Sequence, residues 1–133
     1  MAPTLSLAAS MPVAPELLFD MYLDPDRHAA FTGTPVTIGS EPGSAFRAFE
    51  DAITGTILHT QPRRLIVQSW RSVNFAESDI DSTLILSFWP KPEGARIELM
   101  HVNVPEADFD GVSEGWGKFY FAPWRAYLEA HSK

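Results

Sequence analysis

The stretch Leu99–Lys133, LMHVNVPEADFDGVSEGWGKFYFAPWRAYLEAHSK, decides the architecture, because it joins a buried strand to one long aromatic helix. From about Ala107 to Ala130 the large apolar residues are Phe109, Val112, Trp116, Phe119, Tyr120, Trp124, Tyr127 and Leu128. Separations of mostly three or four collect them on one side of a helix. Burying each such side chain is worth roughly 1.5–3 kcal/mol, so this face must lie against a large apolar surface. The sequence predicts that the surface is a sheet built by the preceding strands. Pro123 removes one backbone hydrogen bond inside the helix and predicts a bend near Phe119–Pro123. Such a bend would wrap the helix around a curved sheet or open the mouth of a cavity.

Working back from the helix, ARIELMHVNV alternates charged and apolar residues, which puts Ala95, Ile97, Leu99 and His101 on the inner face of the last strand. In STLILSFW the same reasoning places Leu84, Leu86 and Phe88 inside. Leu65–Trp70 carries apolar residues on both faces and gives no facing. Further strands are predicted at Val36–Ser40, Ser44–Glu50 and Ile53–Thr60, with turns at Glu41-Pro42-Gly43, Glu50-Asp51, Gln61-Pro62-Arg63-Arg64 and Lys91-Pro92-Glu93-Gly94. At the beginning, TLSLAAS alternates like a strand. Two short helices follow: one opens at Pro15-Glu16 with Leu17, Leu18, Met21 and Tyr22 as its apolar face, the other at Asp24-Pro25, with Asp24 as N-cap, and stops before Thr32-Gly33. The order is strand, two short helices, about six strands, one long helix: an α+β fold in which a curved antiparallel sheet grips its C-terminal helix.

Bulk properties exclude several functions. A chain of 133 residues has the length of one domain with a sizeable core. A formal net charge of −7 opposes nucleic-acid backbones and anionic membranes. No apolar run approaches the roughly 18–20 residues that span a bilayer, and the first residues lack the basic flank of a signal peptide, so a cytoplasmic location is expected. The absence of cysteine removes disulfides and thiolate zinc sites.

Little in the sequence spells out chemistry. His28, His59, His101 and His131 are scattered without metal-ligand spacing. His101, on an inner face, reads as a core histidine bonded to a neighbour, as a polar contact for a ligand head group, or as a proton-transfer group. The acid pairs Asp24/Asp26 and Asp108/Asp110 sit at helix starts, where carboxylates cap amides, and Asp79/Asp81 reads as solvated loop. Gly115-Trp116-Gly117 lies within the helix and lacks the context of a nucleotide loop. Two helical glycines cost about 1 kcal/mol each, which points to close helix–sheet approach or to room beside Trp116. Arg71, next to Trp70, reads as a surface ion pair or as an anchor for an acidic ligand group at a cavity entrance.

Three segments carry a family resemblance: FTGTPVTIG at 31–39, ITGTILHTQPRRLIVQSWR at 53–71 and HVNVPEADFDGVSEGWGKFYFAPWRAYL at 101–128. Together they resemble the single-domain relatives of the heat-shock protein 90 ATPase activator, within the START-like, or polyketide-cyclase-like, superfamily. The resemblance implies one domain over residues 1–133 with the helix-grip fold, and an apolar cavity between helix and sheet. Members of that superfamily bind lipids, sterols or polyketides, serve as co-chaperone modules, or cyclise aromatic precursors, so fold alone does not select a function. The expected cavity residues are Trp70, Phe75, Phe88, His101, Trp116, Phe119 and Tyr120, an apolar wall with a few polar tips. The leading expectation is non-catalytic binding of a small apolar or amphipathic molecule, oriented by Tyr120 and His101, with no cofactor and no metal. The second is a chaperone partner; the activators resemble this chain in their C-terminal domain alone, and the separate domain that carries much of their chaperone contact has no match here. The third is a cofactor-free cyclase or hydrolase, which would require a perturbed group beside the cavity. A monomer and a homodimer are both compatible with the sequence.

Overall fold

The structure, a computed structural model, describes residues 3–131. The chain opens with β1 (Leu5–Met11), α1 (Pro15–Leu23) and α2 (Pro25–Thr32). Six strands follow: β2 (Val36–Thr37), β3 (Ala45–Ala48), β4 (Ile53–Gln61), β5 (Leu65–Ser72), β6 (Ser82–Lys91) and β7 (Gly94–Val102). A 3₁₀ turn (Glu106–Asp108) then leads into α3 (Phe109–Gly115), a π-helical segment (Trp116–Phe121) and α4 (Ala122–Ala130). All neighbouring strands are antiparallel, in the order β1-β7-β6-β5-β4-β3-β2.

Alternation sets the faces. In β7 the inner Ala95, Ile97, Leu99 and His101 are buried, while Arg96 and Glu98 stay outside and pair with each other at 2.9 Å. Across the ladder Leu84 meets His101, Leu86 meets Leu99 and Phe88 meets Ile97, so the two strands bury one continuous face. In β5, whose facing the sequence leaves open, Ile66, Gln68, Trp70 and Ser72 point inward. Burying the Gln68 amide is tolerable because Tyr22 Oη–H donates to its Oε1 at 2.6 Å.

The helix pair forms as its start signals require. Asp24 accepts hydrogen bonds from the backbone N–H groups of Asp26 and Arg27, Pro25 occupies the first turn of α2, and Gly33 closes the helix at φ +86°. On α1 the buried face includes Phe19, and the expected member Leu17 is instead 37% exposed. Two strands are shorter than the sequence suggests. β2 keeps only Val36–Thr37 and β3 only Ala45–Ala48; β3 stops there because Phe49, Glu50 and Asp51 all adopt positive φ and curl the chain out of the ladder.

Residues 109–130 run as one continuous helix. Backbone angles at Gly115, Phe121 and Ala122 are all right-handed helical, so α3, the π segment and α4 run on without a break. The Ala122 N–H bonds to the Gly117 carbonyl, five residues back. Pro123 at the start of α4 has no N–H to offer the carbonyl four residues earlier, and the wider π turn accommodates its ring. The bend expected near Phe119–Pro123 is thus a change of helical pitch.

Candidate functional site

Two aromatic regions lie along this helix. Around α4 the packing is solid: Phe31 stacks on Trp124 with centroids 4.2 Å apart, Tyr22 stands against His28 at 4.6 Å, and Phe46 is buried beside both. Around α3 the helix stands off the sheet and leaves a half-open pocket of about 360 Å³. The β3–β4 connection contributes Phe49 and Ala52 to it, and the start of β4 contributes Ile53. From the end of β5 and the residues after it come Trp70, Ser72, Val73 and Asn74. The helix supplies Asp108, Gly111, Val112, Gly115, Trp116, Phe119 and Tyr120.

Glycine explains why this space exists. A Cβ at Gly111 would meet nothing within 4 Å, and one at Gly115 would meet only Phe119 Cδ2 at 3.6 Å. Of the two glycines flanking Trp116, Gly115 lines the pocket and Gly117 does not, and a Cβ at either would meet no atom of the sheet within 4 Å, so close helix–sheet approach is not their use. Gly111 and Gly115 are four apart and share a helix face, so any larger pair would project side chains into the pocket.

Each region is backed by a buried histidine whose proton is placed by its partners. Trp116 Nε1–H donates to His101 Nδ1 at 3.2 Å, and an indole can only donate. His101 therefore carries its proton on Nε2, facing Ser82 Oγ at 2.8 Å, while the Ser82 hydroxyl donates to the Trp70 carbonyl at 2.6 Å. His28 holds the other tautomer. Its Nδ1–H donates to the Tyr22 carbonyl at 2.7 Å, and its Nε2 accepts from Tyr120 Oη–H at 2.8 Å. Loss of hydration lowers His101 to a pKa of about 4. His28 is lowered to about 4 by burial too, against the opposing pull of the Tyr22 carbonyl. Burial raises the Tyr120 and Tyr22 phenols well above their ordinary value. Both imidazoles are neutral, and both nitrogens of each are in use.

Of the residues expected at a cavity, Trp70, Trp116, Phe119 and Tyr120 converge on the pocket. Phe119 is 51% exposed at its mouth, edge-on to Phe49 at 6.0 Å. His101 lies behind the wall, edge-on to Trp70 at 4.6 Å, and Phe75 supports Trp70 from the side at 5.9 Å. Phe88 is elsewhere, buried edge-on against Phe19 at 6.0 Å. Arg71 ties down the loop after β5: its guanidinium reaches the carbonyls of Ala76 and Asp79 and the Asp81 carboxylate. Asp79 accepts from the Ala76 N–H, so this acid pair braces a loop that the sequence reads as solvated. Asp108 makes no capping hydrogen bond to its helix, contrary to expectation; it closes the preceding 3₁₀ turn, with φ −107° and ψ 1°. Phe49, Val73, Asn74 and the structural role of His28 are not visible in the sequence pattern. Among the described residues no group of three or more His, Asp or Glu side chains is placed to hold a metal ion, and no helix is long and apolar enough to cross a membrane.

The family model described as "Activator of Hsp90 ATPase homolog 1-like protein" matches residues 12–129. The chain belongs to this family. Among curated members, the activator of 90 kDa heat shock protein ATPase homolog of Dictyostelium discoideum is 27% identical over 114 residues, which are 85% of this chain and 30% of that protein. The human homolog 1 is 23% identical over 117 residues, 88% of this chain and 34% of its own length. The chain thus spans about a third of the curated relatives it matches. An HSP90 activator from Plasmodium falciparum superposes with a TM-score of 0.85 at 20% identity, covering 95% of this chain and 96% of that one. The Aha1 dimer from Colwellia psychrerythraea has a TM-score of 0.76 at 14% identity, covering 90% and 92% of the two chains. The structural likenesses establish the helix-grip fold.

Proposed function

We propose that the pocket at α3 binds a small apolar or amphipathic molecule without transforming it. One observation carries this reading: the helix places Gly111 and Gly115 where side chains would fit without clash, and space remains where the rest of the helix packs solidly. Ring-lined concavities with few polar groups are the usual form of small-molecule sites. Affinity would come from apolar burial against Trp70, Trp116 and Val112. The test is native mass spectrometry of freshly purified protein before and after denaturation and extraction, run beside Gly115→Leu. A discrete extra mass carried by the native chain and missing from Gly115→Leu is expected. An adduct retained in full by Gly115→Leu would refute the placement. A ligand present at about a hundredfold its Kd would add about 2.7 kcal/mol of stability and raise Tm accordingly.

A second reading is favoured by the names of the curated relatives, which are activators of a heat-shock ATPase. It holds that this chain docks on such a chaperone. Stimulation of a purified chaperone's ATPase by the chain would support it, and a flat response across a wide concentration range would remove it.

A further inference from the structure

The pocket carries charge of one sign. Asp108 is the charged residue of its lining, and no lysine, arginine or histidine lines it. The Asp108 side chain makes no hydrogen bond to the helix it opens, and among the described residues it enters no salt bridge. It is half-buried at the edge of a ring-lined space. Glu106, Asp110 and Glu114 on the same stretch add to the negative potential.

The wall is suited to cations for a second reason. Aromatic rings attract positive charge through their quadrupoles, and ring-lined sites of this kind recognise ammonium groups. This chain already does so at the mouth, where Lys118 Nζ stands 5.4 Å from the centroid of Phe119. Of the lining's polar tips, the Trp116 indole is committed to His101 and the Tyr120 hydroxyl to His28, and the Ser72 hydroxyl accepts from the Asn74 N–H, which leaves the neutral Asn74 amide beside the charge of Asp108. An anionic head would meet Asp108 within the lining and the Lys118 ammonium only outside it, on Phe119; an ammonium would meet both a carboxylate and the rings.

We propose that the pocket selects cationic amphiphiles, with the apolar body against Trp70, Trp116 and Val112 and an ammonium head at Asp108, over neutral or anionic molecules of the same body. The inference rests on the reading of the pocket as a small-molecule site.

The test uses three probes with one chain length, decyltrimethylammonium, decanol and decanoate, each titrated below its micellar concentration and followed by tryptophan fluorescence and calorimetry. Decyltrimethylammonium should bind about tenfold tighter than decanol, decanoate more weakly than either, and added salt should narrow the gap. Asp108→Asn should bring the ammonium probe down to decanol's affinity while leaving decanol within about twofold, as for a residue whose contribution is charge. Because the Asp108 side chain makes no hydrogen bond or salt bridge among the described residues, this variant should keep a Tm close to the wild-type value. Equal binding of all three probes, or an ammonium preference that survives Asp108→Asn, would overturn the charge inference and leave the pocket reading standing. Failure of every probe to bind, or decanol binding that Gly115→Leu does not weaken, would overturn both.

Discussion

The two ends of the long helix are built from the same kinds of side chain and reach opposite results. At the α4 end, Trp124, Phe31, Tyr22 and Phe46 close on one another around His28, and Trp124 is 1% exposed. At the α3 end, Trp116, Trp70 and Phe119 stand around an opening, with His101 behind them. Aromatic content therefore does not separate a core from a cavity. What separates them is backbone spacing: glycine on the inward face of α3, and a β3–β4 connection that curls away through three left-handed residues. Tyr120 belongs to both ends, lining the pocket with its ring and closing the core with its hydroxyl.

The largest expected effect separates the ends by truncation. Trp124→Ala should cost about 3–5 kcal/mol, because nothing around it can collapse, and should leave ligand affinity intact where the variant folds. Trp116→Ala should cost less, since the pocket already adjoins it, but should abolish binding. Equal destabilisation, measured by denaturant unfolding, would erase the distinction drawn here. Next comes acid. Both histidines are held at about 4 in the folded chain against an ordinary 6.5, so the unfolded chain takes up their protons first as pH falls. Stability should be flat above pH 6.5 and decline through the window down to about pH 4, by about 3 kcal/mol per histidine at its end. A Tm constant across that window would show that neither ring is held neutral.

Tyr120→Phe should cost about 1–3 kcal/mol, since it leaves the buried His28 Nε2 without a donor, while keeping the apolar lining of the pocket. A loss of binding as large as that of Trp116→Ala would mean the hydroxyl serves the ligand after all. The smallest effect is a gain. Gly111→Ala should raise stability by about 0.5–1 kcal/mol, because the added methyl meets open space and the helix is stiffened. A destabilised Gly111→Ala would show that the glycine is kept for a contact and not for room.

Much of the architecture was legible in the sequence. Strict alternation in β6 and β7 fixed which residues face the helix, and Asp24-Pro25 with Thr32-Gly33 bracketed α2, because local rules govern both. The facing of β5 was not legible, since its decisive inward residue, Gln68, is polar and is made acceptable by Tyr22, which lies 46 positions away. The pocket was legible where it is made of helix, in Trp116, Phe119 and Tyr120, and illegible where it is made of connections. Phe49, Val73 and Asn74 sit in turns whose direction no periodicity records. Phe88 was placed correctly on its inner face, but a face does not say which end of the sheet a residue serves. Asp108 looked like a cap because it precedes a helix; the 3₁₀ turn in front of that helix frees its carboxylate.

The pairing of β1 with β7 has a consequence for how the chain is made. Leu5 lies opposite His101 and Met11 opposite Ala95, so among the described residues the first strand finds its only sheet neighbour in the last. On a ribosome adding about 5–20 residues per second, Leu5, Leu7 and Met11 wait roughly 5–20 s before that neighbour is synthesised. Through this interval β2–β6 can assemble hairpin by hairpin, each strand pairing with the one just before it, while β1 remains an apolar segment without a place. The slowest native contact is thus written into the strand order, and β1 is the segment that a nascent-chain chaperone would find uncovered for longest.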